Sequence, residues 1–188
     1  ELFDIKSGKS LKRLISPKLS NVYYNKKHLI AGNHNAKDKI VVFSDPLCPF
    51  CIDYIPDVIN HVKNNKKDIA LYYYHFPLLR LHPAADVISK AMIVAHKKGV
   101  KDIELKIYQA DFQKDFDSRE TNQKIILKSI NKVLKTNITF DDIKAMDVRQ
   151  VIVDDMKLGE DVMVEGTPTI FVNGIKDNTK LKYETLGK

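Results

Sequence analysis

Tryptophan is absent from this 188-residue chain, cysteine occurs twice, and glycine and proline occur seven times each. Two cysteines cannot make a disulfide scaffold, and a chain with 44% hydrophobic and 29% charged residues can bury a full core without one. A bond between Cys48 and Cys51 closes too short a loop to add much stability through chain entropy. A pair kept for chemistry therefore fits better than a pair kept for stability. No run of eighteen apolar residues occurs, so no membrane-spanning helix is expected. Neither an internal repeat nor a low-complexity segment interrupts the chain. It begins at Glu1 with no methionine and no signal-like apolar stretch, in keeping with a processed, exported protein.

Acidic residues are scarce at one end. Residues 1–40 hold nine Lys/Arg against three acids, so +6 of the net +7 lies there and +1 is left for the other 148 residues. The simplest reading is a solvated basic arm, with an anionic membrane or acidic partner as the alternative. No basic motif interleaved with aromatics accompanies it, and nucleic acid is not expected as a partner.

The chemistry concentrates in residues 40–62. The β-branched run from Ile40 to Phe43 reads as a buried strand, Ser44 to Leu47 as a turn, and Phe50, Ile55, Val58, Ile59 and Val62 recur at helical spacing. Pro49 suits the first helical turn, which puts Cys48 at or just before the N-cap, among unpaired backbone N–H groups and the positive end of the helix dipole. The Cys48 thiolate is therefore favoured over the thiol. One turn later Cys51 returns to the same face, within the ~4.4–6.8 Å Cα separation a disulfide needs. Cys48 is placed to attack and Cys51 to resolve. A zinc site would need two further ligands, and none of the six histidines pairs at short spacing with another histidine or with the cysteines, so no metal is expected.

Elsewhere, Leu2, Ile5, Leu11, Leu14 and Ile15 form a weak helical pattern ended by Pro17. Val22–Tyr24 and His28–Ile30 read as two short strands. Asn64-Asn65-Lys66-Lys67 is a polar stop, and Asp68–His75 is a second buried strand. Apolar residues three or four apart predict helices over Ala84–His96, Ile103–Phe112, Asn122–Leu134 and Val148–Val162, and Thr139-Phe140-Asp141-Asp142 predicts a cap for a short helix. Thr169–Val172 then leads through Asn173-Gly174 into a hairpin, with Pro168 at the strand entrance, where a cis bond would expose the Thr167 backbone.

Cys-Pro-Phe-Cys after a strand, a run of helices, and Gly-Thr-Pro-Thr-Ile-Phe-Val-Asn-Gly before a hairpin together resemble the bacterial Dsb class of thiol–disulfide oxidoreductases. His75-Phe76-Pro77 and His82-Pro83-Ala84-Ala85 resemble DsbA-like proteins, while Asp45 before the motif resembles the DsbG and DsbC branch. The resemblance implies an α/β thioredoxin fold with a helical insertion between the strands and a short N-terminal arm. It divides the chain into an arm at 1–36, a core at 37–82 and 147–188, and an insertion at 83–146. It makes Cys48 the nucleophile, Cys51 the resolving thiol and Pro168 the cis-proline. Thr167 then offers its backbone to an extended substrate, beside Pro49 and Phe50, and no cofactor is implied.

The resemblance also leaves a question of direction. The family often has a buried acid six residues before the first cysteine, where this chain has Val42. Strongly oxidising members commonly have a His donor between the cysteines, where this chain has Phe50. Losing that donor is expected to raise the Cys48 pKa and weaken the oxidant. Thr167 points the same way, toward isomerases and reductases. The expected function is introduction of disulfides into exported cysteine-containing proteins, with isomerase or reductase action of the DsbG or DsbC type as the alternative. A chaperone or metal-delivery module is a further alternative. A periplasmic location, a membrane redox partner and a homodimer through the arm complete the expectation. Asp45 and His75 are candidate modulators, each also readable as a structural residue. Tyr72, Tyr73 and Tyr74 read as strand residues.

Overall fold

The computed structural model describes residues 3–8 and 17–187. The helix expected between Leu2 and Ile15 lies for most of its length outside the described residues. A five-stranded mixed sheet in the order β1-β3-β2-β4-β5 organises the rest, with β1 at Leu29–Gly32, β2 at Asp38–Ser44, β3 at Ile69–His75, β4 at Thr169–Val172 and β5 at Ile175–Lys176. β2 and β3 run parallel and are joined by helix α1, Pro49–Asn64, whereas β1 and β4 flank them antiparallel. Central strands buried on both faces need a near-continuous apolar sequence, which Ile40–Phe43 and Ile69–Tyr74 supply.

Alternation along the strands divides the core. Ile40, Val42, Leu71 and Tyr73 face α1 and the helices beyond it, in one cluster with Ile55, Val58, Ile59 and Val62. Val41, Phe43, Tyr72 and Tyr74 face the other way, against Tyr23, Phe76 and Val162. The three consecutive tyrosines therefore alternate between two packed faces, which is why all of β3 is buried.

Between β3 and β4 lie α2 at Ala85–Lys97, α3 at Ile103–Tyr108, α4 at Gln123–Leu134, α5 at Phe140–Lys144 and α6 at Met146–Asp161. Asn122 caps α4 through a bond from Lys124 N–H. Thr139 and Asp142 form the expected reciprocal cap on α5. The thioredoxin fold with a helical insertion is thus present. The helix expected over Ile103–Phe112 stops at Tyr108, where the Gln109 N–H turns back to the carbonyls of Leu105 and Ile107.

The pair of short strands expected near residue 25 is half right. Asn21–Tyr23 is a 3-10 turn, because Tyr23 is used to pack on Phe43 and Tyr74 instead of pairing in a sheet. The second strand is real but shifted, running from Leu29 to Gly32, with His28 closing a 3-10 turn before it. At the Gly32 φ of 81° a side chain would place its Cβ 1.9 Å from the Ile69 carbonyl oxygen, so glycine is required. Buried Asp155 of α6 ties this region to the sheet edge, accepting from the His75 backbone N–H at 2.9 Å and lying 2.7 Å from His28 Nε2.

Candidate active site

β2 delivers the chain into a turn held by Asp45. This carboxylate is fully buried and accepts from the N–H groups of Leu47 and Leu78, both at 2.7 Å, with His82 Nδ1 at 3.0 Å. One buried acid thus fixes the turn before the cysteines against the loop after β3. The Cys48 N–H closes the turn onto the Asp45 carbonyl at 3.2 Å.

Cys48 is the N-cap of α1 and Pro49 occupies the first turn, as the sequence predicts. The Cys48 side chain does not cap the helix itself. Cys48 is 5% exposed, Cys51 is sealed at 0%, and Phe50 stands out at 70%. Both cysteines are free thiols.

The two sulfurs sit in opposite environments. The Cys48 thiol is pulled down to about 5, first by the hydrogen bond from Cys51. Burial opposes this, and the Thr167 side-chain hydroxyl adds to the lowering, as do the backbone N–H groups of Cys51 and Phe50, which face the sulfur without forming a geometric cap. Cys51 is pushed far up, first by burial and then by its bond to Cys48, with Ser44 and the Asp45 backbone pulling against both. The missing imidazole at position 50 thus leaves Cys48 well supplied with donors, which the sequence had placed in doubt.

The Thr167–Pro168 bond is cis, and the Thr167 carbonyl oxygen lies 3.3 Å from Cys48 Sγ. Thr167 and Pro168 are themselves buried. Beside them a groove of about 350 Å³ is lined by Phe50, Gly166, Thr167, Pro168 and Lys180, with Lys180 Nζ 5.9 Å from the Phe50 ring centroid. A larger cavity of about 700 Å³ is lined by Leu47, Ile52, Tyr108, Phe112 and Phe116.

Cys48, Cys51, Pro49, Phe50, Thr167 and Pro168 therefore converge. Asp45 supports the turn that carries them. His75 is paired in register with Ser44 on the neighbouring strand, and its buried imidazole is depressed to about 3, by burial first and then by the charges of His96 and His28. It is neutral at any working pH. Sequence reasoning missed Ser44, which is the last residue of β2 and not part of the turn. It also missed His82 as the partner of Asp45. Among the described residues no group of three or more His, Cys, Asp or Glu converges as a metal site would require.

A thioredoxin family model matches residues 24–188. The chain belongs to this thioredoxin family, and its resemblance to the Dsb class is borne out. A curated relative from Bacillus cereus, a probable disulfide bond formation protein D, is 25% identical over 151 residues, covering 76% of this chain and 68% of the relative. Another, the Na(+)/H(+) antiporter NhaA 1 of Mycolicibacterium vanbaalenii, is 28% identical over 151 residues, and the match spans 78% of this chain but only 23% of that protein. Oxidised BdbD from Bacillus subtilis shares the fold with a TM-score of 0.67 at 17% identity, over 90% of this chain and 92% of the other.

Proposed function

We propose that this protein is a thiol–disulfide oxidoreductase that works by exchange through Cys48 and Cys51, oxidising cysteines of exported proteins. The observation that carries this reading is the asymmetry of the pair. Cys48 is held as a thiolate at a helix start and Cys51 is sealed behind it. Stabilising the reduced form in this way makes the disulfide a stronger oxidant. In this reading the arm at 1–36, the core at 37–82 and 147–188, and the insertion at 83–146 are the functional divisions. The groove beside Phe50, Thr167 and Pro168 receives an extended substrate segment along the Thr167 backbone. A membrane redox partner in the periplasm then reoxidises the pair.

Phe50 between the cysteines favours a second reading, isomerisation or reduction, because it offers Cys48 no side-chain donor. The reduction potential of the Cys48–Cys51 pair, equilibrated against glutathione, separates the two. A value near about −120 mV supports the oxidant and one near about −180 to −230 mV the isomerase or reductase. A pair that does not cycle at all returns the chain to the chaperone or metal-delivery readings.

Phe50→His is expected to make the disulfide more oxidising, by about 30 mV for each pKa unit the new donor takes from Cys48. The same glutathione equilibrium measures it. An unchanged or lower potential would remove the argument built on position 50.

A further inference from the structure

The resolving cysteine touches more than its partner. Ser44 is fully buried at the end of β2, on the face it shares with Val42 and toward the core cluster that holds Cys51, Tyr73 and Tyr108, and its hydroxyl pulls the Cys51 thiol down against the effect of burial. Ser44 Oγ lies 2.7 Å from the hydroxyl of Tyr108 on α3, which lies 2.8 Å from the hydroxyl of Tyr73 on β3. Both tyrosines are buried, and burial raises both phenols far above their ordinary value, so their protons stay on. Among the described residues neither phenol oxygen has a further hydrogen-bond partner.

Each of these hydroxyls has one proton to donate, and that fixes the direction of the chain. The thiol proton of Cys51 is committed to Cys48. If Ser44 donated to Tyr108, Tyr108 would have to donate to Tyr73, and the Tyr73 proton would be buried with no acceptor. Such orphaned donors are costly. Turned the other way, Tyr73 donates to Tyr108, Tyr108 to Ser44 and Ser44 to Cys51, and every proton is used. Aligned hydrogen bonds of this kind also polarise one another.

We propose that Ser44, Tyr108 and Tyr73 form a hydroxyl chain that stabilises negative charge on Cys51, with Ser44 as a catalytic residue and the two tyrosines as positioning residues. The proposal rests on the exchange chemistry put forward above. In the oxidising direction a substrate thiolate attacks Cys48 Sγ, a new sulfur–sulfur bond forms there, and the bond between Cys48 and Cys51 breaks. The electron pair goes to Cys51 Sγ, which leaves as a thiolate, and no proton is gained or lost. That charge appears on a sulfur sealed from water, where a fixed donor counts most. The Ser44 hydroxyl supplies the donor at a position where Val42 can supply none. Tyr108 gives the helical insertion a direct part in the site.

The test is the rate at which dithiothreitol opens the oxidised protein, followed by quenched flow and thiol alkylation. Ser44→Ala is expected to slow opening about tenfold and Tyr108→Phe about threefold, because a strong hydrogen bond to developing charge is lost or weakened. Ser44→Thr, which keeps the hydroxyl, is expected to retain most of the rate. Adding Tyr108→Phe to Ser44→Ala is expected to change nothing further, since the phenol acts only through Ser44. A merely structural role would lower the urea midpoint and leave the opening rate of the folded protein unchanged. An unchanged rate in folded Ser44→Ala protein, or additive effects in the pair, overturns the proposal. If Ser44→Ala does not fold, an unchanged rate in Tyr108→Phe does the same. Dithiothreitol opens the bond whether or not the protein oxidises peptides, so failure on a reduced peptide substrate counts separately against the proposed function.

Discussion

Cys48→Ser is expected to abolish disulfide exchange, with a loss of at least about a thousandfold in turnover on a reduced peptide. A serine hydroxyl at the same N-cap stays protonated at neutral pH, and no bond between its oxygen and Cys51 can store oxidising equivalents. Cys51→Ser is expected to behave differently. Cys48 keeps its place beside the Thr167 carbonyl and can still enter a mixed disulfide, but nothing behind it displaces the partner. Covalent adducts should then accumulate and be visible by mass spectrometry, with turnover lost. Retained activity of Cys48→Ser in cells would sink the enzyme reading and favour a chaperone whose dithiol is incidental.

The features legible in the sequence are those that local chemistry writes. The β-branched run before Cys48, Pro49 just after it and the apolar spacing through Val62 specify strand, turn and helix without outside help. The same holds for the Thr139 cap and the Asn173-Gly174 turn, where the positive φ values of 51° and 82° demand these residue types. Pro168 at the strand entrance was readable for the same reason.

The parts that stayed hidden depend on residues far apart in the chain. Ser44 looked like a turn residue because serine is common in turns, yet its pairing with His75 across the sheet holds it in β2. Tyr108 looked like one more apolar helical position, and only the packing of α3 over the sheet brings its hydroxyl to Ser44, 64 residues away. Val22–Tyr24 had strand composition, but a strand needs a partner edge, and β1 already occupies the edge of β3. Asp45 was singled out for its nearness to the cysteines. Its actual partners, Leu78 and His82, come from the far side of β3, and no spacing rule announces them.

The pH profile of Cys48 alkylation in the reduced protein carries the second large expected effect. With the thiol lowered to about 5, the iodoacetamide rate should rise through pH 5 and level off by about pH 7, whereas an ordinary cysteine rises through about pH 8.5. At pH 6 Cys48 is about nine-tenths thiolate against a few parts per thousand for an ordinary thiol, a ratio of roughly 300. Its intrinsic nucleophilicity falls as the pKa falls, by about fortyfold for a Brønsted slope near 0.45, so the net gain at pH 6 is about eightfold. Cys51, pushed up by burial, adds no second step in this range. The same depression acts on stability. Because the folded pKa lies below the unfolded one, the thiolate stabilises the folded reduced protein in full above about pH 8.5, and that contribution is lost as pH falls through about 5. The oxidised protein has no such group. The urea midpoint of the reduced form should therefore fall relative to that of the oxidised form as pH drops from about 8.5 to below 5, and the disulfide should become a weaker oxidant relative to an unperturbed dithiol over the same window. An alkylation midpoint above about pH 7 would contradict the hydrogen bonding that defines this site, and with it the assignment of Cys48 as the attacking and leaving thiolate toward substrate.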